Sequence, residues 1–234
     1  MKYLRECAKK LNIELSEEQL EQYQVFYEML IETNKVMNLT AITEKKEVIV
    51  KHFLDSIAIS RYVDVSHSKI IDIGTGAGFP GVPLKILYPE CEITMLDSLN
   101  KRIQFINKVV DVLNLKKVQA VHARAEDYAH DRQYRQQYDY AVSRAVANLS
   151  TLSEYCLPFV KVGGQFISYK SGNIEEELQN SKSAIFLCGG KLDRVEHFRL
   201  EEADSDRTFV LIDKKSNTAK QYPRKSGIPS KKPL

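Results

Sequence analysis

The sequence predicts an α/β fold: a mostly parallel, seven-stranded sheet with helices on both faces and an N-terminal helical extension. Three observations predict it. From Lys69 onward, short apolar runs alternate with helical stretches, the pattern of parallel strands joined by crossover helices. The first apolar run ends on Asp72 and Ile73 and then breaks into glycine at Gly74, Gly76 and Gly78. The last two runs, 191–200 and 206–213, have no helix between them, so a closing hairpin adds one antiparallel strand.

The elements follow in order. Ser16 stands three residues before Gln19, a capping-box arrangement that opens a helix. Leu20, Tyr23, Phe26, Tyr27, Leu30 and Ile31 recur at three- and four-residue spacing along it, and it ends near Asn34–Asn38. Thr43 is the expected cap of the next helix, whose inner residues are Val48, Phe53, Ile57 and Ile59. Strand 69–73 precedes a helix near 80–88. Strand 92–97 precedes a helix over 100–114, opened by Asn100. Strand 117–122 leads to a short segment at 125–130, strand 138–143 to helix 148–160, and strand 164–170 to helix 173–187, capped by Asn173 and ended by Gly189–Gly190. The remainder, 214–234, carries Pro223, Pro229 and Pro233 and reads as extended coil. Three regions result: a helical extension over 1–66 packed on the core, a ligand-binding core over 67–213, and a tail over 214–234.

Composition narrows the function. A chain of 234 residues, 43% hydrophobic and 28% charged, is long enough for one substantial core. No apolar run is long enough to span a bilayer and the N-terminus lacks a signal-peptide pattern, so a cytoplasmic, membrane-free protein is expected; a monomer is expected as well. The four cysteines are far apart, with neither metal-ligand nor disulfide spacing, and are expected to be free and buried. No metal site is expected. The net charge of +3 conceals an asymmetry. Seven basic residues and no acid lie from Lys214 onward, leaving 27 basic against 31 acidic residues in the first 213. A basic tail is suited either to nucleic acid or to simple solvation.

The glycine turn contains two overlapping spacings. Gly74-x-Gly76-x-Gly78 matches turns that bind S-adenosyl-L-methionine, and Gly76-x-Gly78-x-x-Gly81 is formally the dinucleotide fingerprint. A dinucleotide turn begins directly after its strand and offers backbone N–H groups to pyrophosphate. Here the later frame starts too far on, and Pro80 and Pro83 remove donors. S-adenosyl-L-methionine has no phosphate; it needs close backbone and a nearby acid, a role expected of Asp72. Asp97 closes the second strand, where a carboxylate can accept both ribose hydroxyls. Ala125–Glu126 follows the third strand, where adenine would lie, and Ser143–Arg144 ends the fourth, beside the crevice. Glu126 read alone suits a helix start better than a ligand contact. His52 and His122 each stand alone and suit structural roles, and no Ser-His-Asp or Cys-His arrangement is present. A nicotinamide-dependent oxidoreductase and a non-catalytic RNA-binding protein on a methyltransferase fold remain as alternatives; calorimetry with each cofactor separates them.

The segments NKVMNLTAI (34–42), KHFLDSI (51–57), DIGTGAGFPGVPLKI (72–86), LDSLNKRIQFI (96–106), RAED (124–127), SRAVANL (143–149) and YPRKSGIPSKKPL (222–234) together resemble the ribosomal RNA small subunit methyltransferase G family, also called glucose-inhibited division protein B. The resemblance runs nearly end to end in the same order. It implies a Rossmann-like class I methyltransferase acting with S-adenosyl-L-methionine on N7 of the guanosine at position 527 of 16S ribosomal RNA, free or in a small-subunit precursor. The family's cofactor positions fall on Gly74, Phe79, Ala125, Glu126 and Arg144, with the strand-end acid at Asp97, and Arg144 is the residue to which a catalytic role is assigned. The tail carries Ser226 where the family commonly has proline.

Overall fold

The computed structural model describes residues 1–234. Seven strands form one sheet: β1 (Lys69–Ile73), β2 (Glu92–Asp97), β3 (Val118–His122), β4 (Tyr138–Arg144), β5 (Val160–Ser171), β6 (Gly190–Leu200) and β7 (Ser205–Lys214), in the order β3-β2-β1-β4-β5-β7-β6. The pairs among the first five are parallel, and β7 runs antiparallel between β5 and β6. The hairpin therefore closes the sheet as expected. The order reverses between β1 and β4, so the loops after these two strands part there and open a crevice at the carboxyl edge.

Apolar residues on the two faces of the sheet feed two cores. One contains Ile70, Ile93, Met95, Val142 and Ile167 and is covered by α1 (Lys2–Lys10), α2 (Glu17–Met37), α5 (Gly81–Leu87) and α6 (Asn100–Val112). The other contains Ile71, Ile73, Ala141, Phe166 and Ile212 under α8 (Leu149–Cys156) and α9 (Glu175–Leu187). The N-terminal helices share the first core: Tyr23 and Phe26 are fully buried against Phe53, Phe79 and Phe105, with ring centroids 5.1–6.4 Å apart. All four cysteines are buried and unpaired. No helix is long and apolar enough to cross a membrane.

The capping box of Ser16 and Gln19 forms in full, and α2 ends at Asn38 in the left-handed conformation. Other caps differ from expectation. Glu44, rather than Thr43, caps α3 (Lys45–Val48), its carboxylate accepting from Glu47 N. Leu99 stands at the cap of α6 in place of Asn100, and the first turn is held from below, by Asp97 Oδ1 accepting from Leu99 N at 2.9 Å. Asn173 accepts from Glu175 N, one residue outside the cap of α9.

Two larger differences bear on function. After α3 the chain passes through a π-helical segment, Ile49–Leu54, before α4 (Asp55–Ile57). Such wide turns shift the side chains that follow and recur at functional sites. The second difference is the tail. It is not extended coil: Lys214 completes β7, Tyr222 and Pro223 are buried, and a short helix, α10 (Ile228–Lys231), packs on α8. Lys214 is 1% exposed and donates to the carbonyls of Leu157 and Cys188 at 2.8 Å and to Thr218 Oγ1. That burial pushes its ammonium down to about 7.

Candidate active site

The glycine turn after β1 is held from beneath by two carboxylates. Asp72 is fully buried; its Oδ2 accepts from Thr75 Oγ1 at 2.6 Å and from Gly81 N at 2.9 Å. Burial pushes its carboxyl up to about 7, against the downward pull of those two bonds. Asp97 Oδ2 accepts from Gly76 N at 2.9 Å and from Arg102 at 3.1 Å. The turn is thus tied to the tips of both β1 and β2.

A cavity of about 430 Å³ opens over this turn. Gly74, Gly76, Phe79, Asp97, Ala125, Glu126 and Arg144 all line it, from four separate stretches of chain. Gly74 lies under the loop after β4: a Cβ there would meet Val146 Cγ2 at 2.4 Å. At Gly76, with φ +62°, a Cβ would meet nothing within 4 Å and would project into open space. Two expected cofactor residues lie outside the cavity. Asp72 points under the turn, and Gly78 makes room for Val82, whose Cγ2 would lie 2.7 Å from an added Cβ. Their part is to shape the turn. Ser143 likewise ties strands, donating to Ile73 O at 2.8 Å. His122 is exposed on a strand end and outside the cavity.

Arg144 occupies the centre of a charged cluster. Its guanidinium donates to Asp55 Oδ2 at 2.7 Å and to Lys51 O at 3.1 Å, and lies 5.2 Å from the centre of the Phe79 ring. Asp55 also accepts from Arg207 Nε at 2.9 Å, so one buried carboxylate serves two guanidinium groups. His52, presented by the π-helical segment, stacks on Phe79 at 4.5 Å and lines the cavity. Arg144 can only donate, so His52 Nδ1, 3.3 Å away, is the acceptor. The proton then sits on Nε2, which donates to Thr40 Oγ1 at 2.8 Å. Burial, reinforced by the Arg144 charge, holds the imidazole down to about 3, neutral at physiological pH. Ala145, next to Arg144, has φ +57°, a strained conformation for a residue with a Cβ.

The sequence reading missed Asp55, Arg207, Thr40 and Tyr155. Asp55 was visible as an acid inside an apolar helix, LDSI, which needs a partner when buried. Arg207 lies 152 residues away and offered no local signal.

An open parallel sheet with a glycine turn, a strand-end carboxylate at Asp97 and a cavity over the β1–β4 switch point is the construction of the class I methyltransferase fold, and solved structures share this chain's fold. TYW2 of M. jannaschii in complex with AdoMet superposes with a TM-score of 0.57 over 74% of this chain and 79% of that one, at 13% identity. A SAM-dependent methyltransferase from Aquifex aeolicus gives 0.52 over 72% of this chain and 93% of that one, at 14% identity. A family model described as rRNA small subunit methyltransferase G matches residues 19–210. Proteins named ribosomal RNA small subunit methyltransferase G are similar over nearly the whole chain. That of Lachnoclostridium phytofermentans is 49% identical over 97% of this chain and 94% of its own length. That of Acetivibrio thermocellus is 48% identical over 100% and 96%. The chain belongs to the rRNA small subunit methyltransferase G family.

Proposed function

We propose that this protein, a cytoplasmic monomer, methylates N7 of the guanosine at position 527 of 16S ribosomal RNA, presented as free rRNA or in a small-subunit precursor. The observation that carries this reading is the cavity itself. Across a chain that belongs to the family from end to end, it brings the glycine turn, Asp97 and Arg144 together, and its histidine is already hydrogen-bonded on both nitrogens.

The residues fit the cofactor. Gly76 leaves the space that a Cβ would fill, and Asp97 places a carboxylate at the β2 tip for a ribose. Ala125 and Glu126 stand where adenine would lie, with the Phe79 face and the Arg144 cluster toward the other end. When bound, S-adenosyl-L-methionine supplies an electrophilic methyl group on a sulfonium. The protein need not remove a proton, because guanine N7 has an in-plane lone pair and none to lose. Its residues act by holding two reactants in line and excluding water, an effect that can contribute about 7–11 kcal/mol. Arg144, fixed by Asp55 and Phe79, is assigned to the edge of the crevice that the incoming base would meet.

The test is methylation of 16S rRNA and of small subunits lacking the modification, with the product mapped by mass spectrometry of nuclease fragments. A single added methyl at N7 of guanosine 527 is expected. Methylation confined to another nucleotide would overturn the target; binding of NAD in place of S-adenosyl-L-methionine would overturn the chemistry.

A further inference from the structure

The tail after β7 has no acid and many prolines, yet it follows one route fixed by hydrogen bonds across α7 (Ala125–Tyr128) and α8. Arg135 gathers its first part, donating to Thr218 O at 2.8 Å, Ala219 O at 3.1 Å and Tyr222 O at 3.0 Å. Arg224 anchors its middle on Glu154, a carboxylate with 1% side-chain exposure. The guanidinium engages both oxygens, at 3.0 and 2.7 Å, and Arg224 N adds a third bond at 2.6 Å. Beyond this anchor the chain turns at Gly227, and its end is tied to α8 by Thr151 Oγ1 donating to Pro229 O at 3.0 Å. At the turn Gly227 N donates to Glu126 Oε1 at 2.9 Å, and Ser226 Oγ donates to Asp127 Oδ1 at 2.9 Å.

Glu126 is a wall of the cavity. It is 5% exposed, and no cation pairs with it; Gly227 N–H, 101 residues away, donates to it, with the Tyr155 side chain beside it. We propose that the C-terminal segment Tyr222–Ser230 is a positioning element of the cofactor site: through Gly227 it fixes the Glu126 carboxylate for the adenine edge, and through Arg224–Glu154 it fixes Gly227. The inference rests on the cofactor reading above. It removes two of the tail's seven basic residues, Lys214 and Arg224, from any role with RNA, because both are committed to protein partners. Lys225, Lys231 and Lys232 remain exposed for phosphates.

Gly227→Ala is the informative variant. A Cβ there meets nothing within 4 Å, but φ +81° strains any L side chain, and rotating the peptide to relieve that strain withdraws its N–H from Glu126. Calorimetry with S-adenosyl-L-methionine is expected to show a Kd raised about tenfold, the worth of one hydrogen bond to a charged group. Arg224→Ala should raise it at least as much, whereas replacing Lys225, Lys231 and Lys232 together by alanine should leave it unchanged. If Gly227→Ala and Arg224→Ala fold, bind as wild type and merely melt earlier, the segment is a structural brace and the proposal is overturned. Asp97→Ala separates this from failure of the cofactor reading. Cofactor binding by wild type that is lost in Asp97→Ala but kept in Gly227→Ala overturns the positioning role alone; no binding by wild type overturns both.

Discussion

Replacing Asp97 by alanine tests the cofactor site and the turn that builds it in one experiment. The Asp97 carboxylate accepts from Gly76 N and Leu99 N, both at 2.9 Å, and pairs with Arg102 at 3.1 Å. Hydrogen bonds to a charged group contribute about 1.5–3 kcal/mol each. Leu99 is 43% exposed, so water can replace the carboxylate at its N–H. The Arg102 side chain is one-third exposed and its pairing adds about 0–1 kcal/mol at most. The loss to folding is therefore dominated by the Gly76 bond, about 1.5–3 kcal/mol, or roughly 3–12 °C in Tm for a chain of this size. Two ribose hydroxyls donating to the same carboxylate contribute on the same scale. Loss of even one weakens binding at least about tenfold. Asp97→Asn keeps one carbonyl acceptor but turns an amide donor either toward Leu99 N or toward Gly76 N and Arg102 together, so it should fall between alanine and wild type on both scales. Calorimetric titration with S-adenosyl-L-methionine, together with melting curves with and without it, reads both quantities. A variant with lowered Tm and an affinity within twofold of wild type would remove the ribose from Asp97. Lost affinity at an unchanged Tm would show that Asp97 does not hold the turn.

At the turn itself, Gly76→Val should abolish cofactor binding, since its side chain would enter open cavity, and should lower Tm as well, since φ +62° strains a β-branched residue. Gly74→Val should also unfold the turn against Val146, so only wild-type binding by Gly76→Val would place the ligand elsewhere. Arg144→Ala should lose methyl transfer and, because it leaves Asp55 with Arg207 alone, lower stability by about 1–3 kcal/mol, less than breaking an isolated buried pair. Arg144→Lys should recover the Tm but not the rate; full activity in a folded Arg144→Ala would end its functional role. The folded state holds His52 at about 3, below its ordinary value of 6.5, so the unfolded chain binds more protons between those values. Its stabilisation is complete above pH 6.5 and is lost as pH falls toward 3. Asp72, raised from 3.8 to about 7, works in the opposite direction, with stability falling as pH rises through that window. His52→Gln should therefore lose less stability than wild type between pH 7 and 4.5, and Asp72→Asn should lose more, as read by melting across that range. Parallel curves for all three proteins would refute both assignments.

The parts of the fold legible in the sequence are those fixed by neighbours in the chain. Strands at 69–73 and 92–97 agree with the structure to the residue, because each is a continuous apolar run ended by an acid and a break. The cap at Ser16 is equally local, since both halves of its box lie within four residues. Asn100 shows where local reasoning stops. Its type suits a cap, but Asp97 lies one strand-tip away and takes Leu99 N instead. The tail shows the same limit at longer range. Its lysines and prolines favour coil, and only Glu154, Glu126 and Arg135, 70 to 101 residues distant in sequence, give it a route. The candidate site was legible where function demands a special backbone or a charge at a strand end: Gly74, Gly76, Asp97 and Arg144. Asp72 and Gly78 were visible for the same reason, although they support the turn from outside the cavity. The π-helical segment that presents His52 leaves no periodicity to detect in so short a stretch.

The charges around the cavity are arranged for a cationic reactant and a neutral nucleophile. A sulfonium is repelled by any uncompensated positive charge, and the cavity contains three arginines: Arg102, Arg124 and Arg144. Arg102 pairs with Asp97, Arg144 pairs with Asp55, and Arg124 is exposed to solvent. His52, the remaining basic group, is kept neutral by burial and by the same Arg144. The Glu126 carboxylate is satisfied by a backbone N–H rather than a cation, so its negative charge stays uncompensated at the cavity wall. In the transfer proposed above, positive charge would move from sulfur into the purine ring, and the site would need a field that tolerates it at both places. Protonation of His52 would add a second positive charge beside Arg144 and oppose that movement. The pairing of Arg144 with Asp55 and the neutrality of His52 are thus one device: the first lets an arginine stand at the crevice, and the second prevents its neighbour from doubling the charge.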